Sequence, residues 1–175
     1  VVDGYRVRVV TESGGEAAPG EIGTLQINGP TAAIGYWRNR EKSQVTFQGE
    51  WTNSGDKYSI DGDGWLTYAG RADDMLKVGG IYVSPIEVEE VLASHPEVIE
   101  AAVVGTEDSD NLLKPHAYVV VHAGVEAGGD LEVRLKEHCK EHLAPYKYPR
   151  WITFVDELPK TATGKIQRFR LREKA

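Results

Sequence analysis

Gly70-Arg71-Ala72-Asp73-Asp74-Met75-Leu76-Lys77-Val78-Gly79-Gly80 lies between two regions patterned as regular structure. Its front half resists burial, because a buried charge without a partner is costly. Gly79-Gly80 frees the backbone to take positive φ and leaves no Cβ beside a ligand. Arg71 offers a rigid fork of donors, and Asp73 and Asp74 offer acceptors for hydroxyls or cations. On composition alone the stretch reads first as a solvated hairpin end between two β segments. The sequence on either side changes that reading.

Upstream stands Trp51-Thr52-Asn53-Ser54-Gly55-Asp56-Lys57. Asp56 follows a glycine, and a carboxylate there accepts two hydrogen bonds from the vicinal hydroxyls of a ribose. An aspartate in a strand-end turn has the same local signature. Downstream stand Pro85-Ile86-Glu87-Val88-Glu89 and Leu158-Pro159-Lys160-Thr161-Ala162-Thr163-Gly164-Lys165. Taken in order, these stretches resemble the ribose-binding, hinge and catalytic-lysine motifs of the adenylate-forming enzymes. That superfamily comprises acyl- and aryl-CoA synthetases, peptide adenylation domains and luciferases. The run from Leu143 to Ile152, with Lys160 to Phe169, is similar to benzoate-CoA ligases. The motifs and their connections span nearly the whole chain.

The resemblance implies an α+β fold: a small β-rich subdomain, a hinge, and a compact C-terminal domain with a short sheet flanked by helices. Residues 1–72 would end a larger N-terminal domain, and residues 73–175 would form the mobile C-terminal domain. The pattern along the chain agrees. Tyr5–Val10 and Gly23–Ile27 read as strands joined by turn residues, and Arg40–Phe47 as a short helix or loop. Tyr58–Ile60, the turn Asp61-Gly62-Asp63-Gly64 and Trp65–Tyr68 spell a hairpin. Ser84 at N-cap, Pro85 at N1 and Glu87 at N3 start a helix with the stripe Ile86, Val88, Val91 and Leu92, which His95-Pro96 ends. Val98–Val104 and Ala117–Val121 read as buried strands. Asp130 is expected to cap a second helix, with the apolar face Leu131, Leu135, Cys139 and Leu143. Trp151–Val155 is a third strand.

A net charge of −7 over 175 residues argues against nucleic acid as the main partner. No apolar run approaches the ~20 residues of a membrane helix, and no signal peptide opens the chain. One cysteine, Cys139, excludes an internal disulfide and fits a reducing compartment, so a cytoplasmic setting is expected. Opening mid-hairpin without Met, the chain is expected to be a fragment.

Three signals are set aside. His138 and His142 share a helix face at zinc-ligand spacing, but Cys139 belongs to the apolar stripe and no fourth ligand is evident, so no metal is expected. Thr161 to Lys165 lacks the first glycine of a P-loop, and Ile166 replaces its Ser or Thr. Lys160, Lys165, Arg168, Arg170, Arg172 and Lys174 form a basic cluster, read as a local site for nucleotide or CoA phosphates rather than for nucleic acid.

By resemblance, an aryl carboxylate attacks the α-phosphate of ATP carried with Mg2+, and coenzyme A then attacks the resulting acyl-adenylate. Lys165 would be the catalytic lysine, Asp56 and Arg71 would hold the ribose of ATP or AMP, and Asp73 would be the hinge. Gly79 and Gly80, with Lys77, would line the pantetheine path of CoA. The Ser/Thr/Gly-rich phosphate loop and the acyl pocket are absent. The fragment alone is therefore expected to be inactive, with the missing N-terminal portion as its partner. The alternatives are a stand-alone nucleotide- or CoA-binding module without catalysis, and an adenylation domain loading a carrier-protein pantetheine.

Overall fold

The computed structural model describes residues 1–173, so Lys174 of the basic cluster lies outside the described residues. The chain divides into two compact units, one ending at Asp73 and one opening at Asp74.

The first unit is built on an antiparallel sheet. Strands β1 (Arg6–Val10) and β2 (Gly23–Asn28) pair with Val7 opposite Ile27 and Val9 opposite Leu25. Helix α1 (Arg40–Thr46) buries no residue and is capped by Asn39, whose side chain accepts from the Lys42 amide at 3.0 Å. Strand β4 (Trp51–Ile60) pairs with β2, with the short β3 (Phe47–Gln48) at its start and with β5 (Leu66–Arg71) at its end. Asp61 closes the β4–β5 hairpin by accepting from the amides of Asp63 and Trp65. Asp56 therefore stands inside a ten-residue strand and not in a strand-end turn.

The second unit begins with a hairpin of β6 (Leu76–Val78) and β7 (Ile81–Val83). Helix α2 (Pro85–Ala93) starts as its cap signals require, with Ser84 Oγ accepting from the Glu87 amide at 3.3 Å. The Glu87 carboxylate also receives Lys147, with Nζ at 2.6 and 2.7 Å from its two oxygens. A three-stranded sheet follows in the order β10 (Trp151–Phe154), β9 (Leu113–Val121), β8 (Val98–Glu107). β8 and β9 are antiparallel, whereas β9 and β10 run parallel across helix α3 (Gly129–His142). The expected cap at Asp130 is not formed. Gly128, in extended conformation, occupies the cap position without a side-chain bond. The glycine pair lets the chain enter the helix early, leaving Asp130 in the first turn, where its charge suits the helix dipole.

Both faces of the three-stranded sheet are covered. Ala101, Val103, Ala117 and Val119 point into a core with Val88, Leu92, Leu131, Leu135 and Cys139. Their neighbours Ala102, Val104, Tyr118 and Val120 point the other way, against Leu158 and Leu171. This period of two on a sheet buried from both sides is why the strands read as continuous apolar runs. Leu171 belongs to the short helix α4 (Arg168–Arg172), so the segment carrying Lys165 and α4 forms a covering layer. Burying one leucine contributes about 1.5–3 kcal/mol. Among the described residues, no helix is long and apolar enough to cross a membrane.

Candidate functional site

In the first unit the β4–β5 ladder sets Asp56 opposite Arg71. The ladder shifts register between Lys57 and Tyr58, a bulge that re-aims the side chains beside it. Gly55 takes φ +77°, and a Cβ there would come within 3.4 Å of the Arg71 guanidinium. Around it, Ser54 Oγ donates to Leu25 O at 2.8 Å and accepts the Asp56 amide at 3.1 Å. The Ala72 amide donates to Gly55 O at 2.9 Å. These bonds hold Asp56 and Arg71 side by side, with Arg71 Nη1 at 3.2 Å from Asp56 Oδ1. Arg71 Nε also lies 3.6 Å from Asp73 Oδ1. The Arg71 side chain is 54% exposed, so its remaining donors face outward.

Within the second unit, Gly79 and Gly80 form the two-residue turn of the β6–β7 hairpin, with φ +57° and +85°. That is the geometry of a type I′ turn, which a pair of glycines adopts without strain. A Cβ at either would meet no atom within 4 Å, so the fold accounts for the glycines through φ and not through crowding. Lys77 sits on the same hairpin opposite Tyr82, with Nζ 5.7 Å from the ring centre. Lys165 lies on a different loop and is exposed. Its loop is tightly closed. Lys165 O accepts from the Thr161 amide at 2.8 Å, its own amide donates to Thr161 Oγ1 at 3.1 Å, and Gly164 takes φ +81°.

The basic cluster is smaller than its sequence implies. Lys160 pairs with Glu100 at 2.7 Å, Arg168 with Glu89 at 2.7 Å, and Arg172 with Asp74. Three of its cations are thus neutralised within the unit, which leaves Lys165 and Arg170, among the described residues, as the cations offered to a phosphate.

A cavity of about 410 Å3, not anticipated from the sequence, is lined by Val78, Asp108, Asp110, Lys114, Tyr146, Tyr148 and Arg150, among others. Two cations, two carboxylates and two phenol rings converge there beside the end of β6, from segments far apart in sequence.

His138, Glu141 and His142 bring ligand atoms within 4.8 Å of one another, Glu141 being a member the sequence reading did not consider. The imidazoles are already engaged: His138 Nε2 donates to Val91 O at 3.1 Å, and His142 Nδ1 donates to His138 O at 2.8 Å. His95 packs edge-on against His138, joining the end of α2 to α3. The His138 bond joins α3 to α2, whereas the His142 bond lies within α3. Cys139 is fully buried, and burial pushes its thiol up to about 12, which leaves it inert as a nucleophile.

Residues 87–165 match the AMP-binding enzyme C-terminal domain. The chain is 61% identical over 172 residues to a benzoate–CoA ligase of Thauera aromatica, covering 98% of this chain and 33% of that protein. It is 52% identical to a 4-hydroxybenzoate–CoA/benzoate–CoA ligase of Rhodopseudomonas palustris, with 98% and 32% covered. Among solved structures, the anthranilate CoA ligase in complex with anthranoyl-AMP superposes with a TM-score of 0.89 at 52% identity, over 99% of this chain and 34% of that one. The benzoate CoA ligase from Burkholderia xenovorans gives 0.87 at 54% identity, over 98% and 34%. The chain spans about a third of the length of the relatives it matches.

Proposed function

We propose that this chain, which belongs to the adenylate-forming enzymes and carries their C-terminal domain, is the hinge-and-lysine part of an ATP-dependent aryl acid–CoA ligase. Benzoate or a close relative is its acid. The observation that carries this reading is the Asp56–Arg71 pair, formed across one ladder in a chain 61% identical to a benzoate–CoA ligase. No observation favours a non-catalytic module or a carrier-protein acceptor.

In the first half-reaction a carboxylate oxygen of the acid attacks the α-phosphorus of ATP, and the bond to pyrophosphate breaks. Asp56 accepts from the ribose hydroxyls while Arg71 orients that carboxylate and offers its outward donors. Lys165 brings a mobile positive charge to the α-phosphate, where negative charge develops. Mg2+ enters with the phosphates of ATP, and no residue of this chain is assigned to it. In the second half-reaction the CoA thiol, losing its proton, attacks the acyl carbon and AMP leaves.

Residues 1–72 would end a larger nucleotide-binding domain, and residues 73–175 would move as one body about Asp73 between the two steps. The Gly79-Gly80 turn then admits the pantetheine arm. The neighbouring cavity offers Tyr146 and Tyr148 for the adenine face of CoA, and Arg150 and Lys114 for phosphate, although the two cations share that cavity with Asp108 and Asp110. A buried, inert cysteine is compatible with a cytoplasmic setting.

The test uses the full-length enzyme containing this chain, supplied with benzoate, MgATP and then CoA. The reading expects pyrophosphate and benzoyl-adenylate first, then AMP and benzoyl-CoA. Absence of pyrophosphate release with benzoate, hydroxybenzoates and aminobenzoates alike would contradict it. Transfer to a phosphopantetheinyl carrier protein but not to CoA would favour the carrier-loading alternative.

A further inference from the structure

Lys165 stands on a closed loop, and a single arginine three residues on fixes how that loop sits on its unit. The Gln167 amide returns to Pro159 O at 2.8 Å, and Arg168 then opens α4. Its guanidinium grips Glu89 of α2 through both oxygens: Nη2 lies 2.7 Å from Oε2 and 2.9 Å from Oε1, and Nε lies 3.2 Å from Oε1. Glu89 is itself held, because Oε1 accepts the Val103 amide of β8 at 2.8 Å. The third nitrogen of Arg168 reaches 3.7 Å from Asp74 Oδ2, and Asp74 also receives Arg172.

The Arg168, Glu89 and Asp74 side chains are 18%, 12% and 21% exposed. Water is therefore largely excluded from the junction. Removing such charges from water costs much of what their attraction returns, so net stability is a poor reason for them to be there. Adhesion already has another source. Leu171 is buried against the second face of the sheet, and Tyr118 donates its hydroxyl to Leu171 O at 3.3 Å. A bidentate guanidinium–carboxylate pair adds direction, since its planar fork tolerates little rotation.

We propose that Arg168 is a positioning residue for Lys165. It fastens the lysine loop at once to α2, to β8 and to Asp74, the first residue of the second unit. A torsional change at residue 73 is thereby transmitted to Lys165 without slack. The inference rests on the reading of Lys165 as the adenylating lysine and of Asp73 as the pivot.

Arg168→Lys retains the charge against Glu89 but loses the fork. In the full-length enzyme it should unfold within a few degrees of wild type. Adenylate formation should slow by about 10²-fold, the scale of a misplaced catalytic group, with little change in KM for ATP. Thioester formation from supplied benzoyl-adenylate should change little. The double variant R168K/K165A should be no slower than Lys165→Ala, because a positioning residue acts through the group it positions. Wild-type adenylation by Arg168→Lys, multiplicative losses in the double variant, or equal losses in both half-reactions with a lowered Tm would each overturn the proposal. Unchanged adenylation by Lys165→Ala would instead remove the functional reading beneath it.

Discussion

Arg71 Nη1 lies 3.2 Å from Asp56 Oδ1, across a ladder that pairs their backbones directly. The Arg71 side chain is 54% exposed, and ion pairs open to solvent are worth about 0–1 kcal/mol. On the proposed function the pair serves the ribose of the nucleotide. Asp56→Ala and Arg71→Ala should leave Tm within a few degrees of wild type. Each should weaken use of ATP by about 10–100-fold, the scale of a charge-assisted hydrogen bond of roughly 1.5–3 kcal/mol. Large losses of stability with unchanged KM for ATP would make the pair structural.

Asp73→Pro tests the pivot. Proline fixes φ near −65° and restricts the torsional change a hinge requires. Stopped-flow or quench measurements should show adenylate formation surviving while thioester formation falls. If both steps slow equally, residue 73 is not the pivot.

The Gly79-Gly80 turn offers two explanations that a pair of variants separates. Gly80→Ala at φ +85° should cost about 1–2 kcal/mol of unit stability from left-handed backbone alone. Gly80→Asn tolerates that backbone and should recover most of the stability. If the turn admits the pantetheine arm, both variants should still be slow in thioester formation. Full recovery of that step by Gly80→Asn would reduce the glycines to turn formers.

His116 links β9 to its neighbours, with Nδ1 3.1 Å from Thr106 Oγ1 and Nε2 2.9 Å from Thr153 Oγ1, while stacking on Tyr118 at 4.7 Å. Burial holds its pKa below the ordinary 6.5. His95 is lowered too, first by burial and then by His138. The unfolded chain therefore binds protons more readily than the folded one. Stability is fully present above the unfolded value and is lost as pH falls below about 6.5 toward the folded values. Melting curves from pH 8 to 5 should show Tm falling over that window, and His116→Gln should flatten the fall. An undiminished slope in that variant would show that His116 contributes none of it.

The sequence was most informative where local chemistry decides. Ser84-Pro85 stacks start signals that no tertiary contact overrides, and Asp61 to Gly64 could scarcely form anything but a turn. Prediction failed at Asp130 because two preceding glycines gave the helix an earlier entry that no side-chain preference announces. The Glu89–Arg168–Asp74 junction was invisible for another reason. Its members come from α2, α4 and the first residue of the unit, and only the sheet between them sets their spacing. For the same reason three cations that read as a phosphate site turned out to be neutralised by Glu89, Glu100 and Asp74. The cavity of Lys114, Tyr146, Tyr148 and Arg150 was likewise assembled only by the fold.

Lys165→Ala is the decisive substitution. Lys165 is exposed on a closed loop, and its proposed role is to act on charge at the α-phosphate in adenylation alone. Both half-reactions should be measured in the full-length enzyme, beside Lys174→Ala as a second cation of the same basic run. Lys165→Ala should slow adenylate formation by about 10²–10³-fold, the loss of one preorganised donor. No comparable loss is expected in thioester formation from supplied benzoyl-adenylate, and none in either step for Lys174→Ala. Equal small effects of the two substitutions would contradict that role and return Lys165 to the solvated surface.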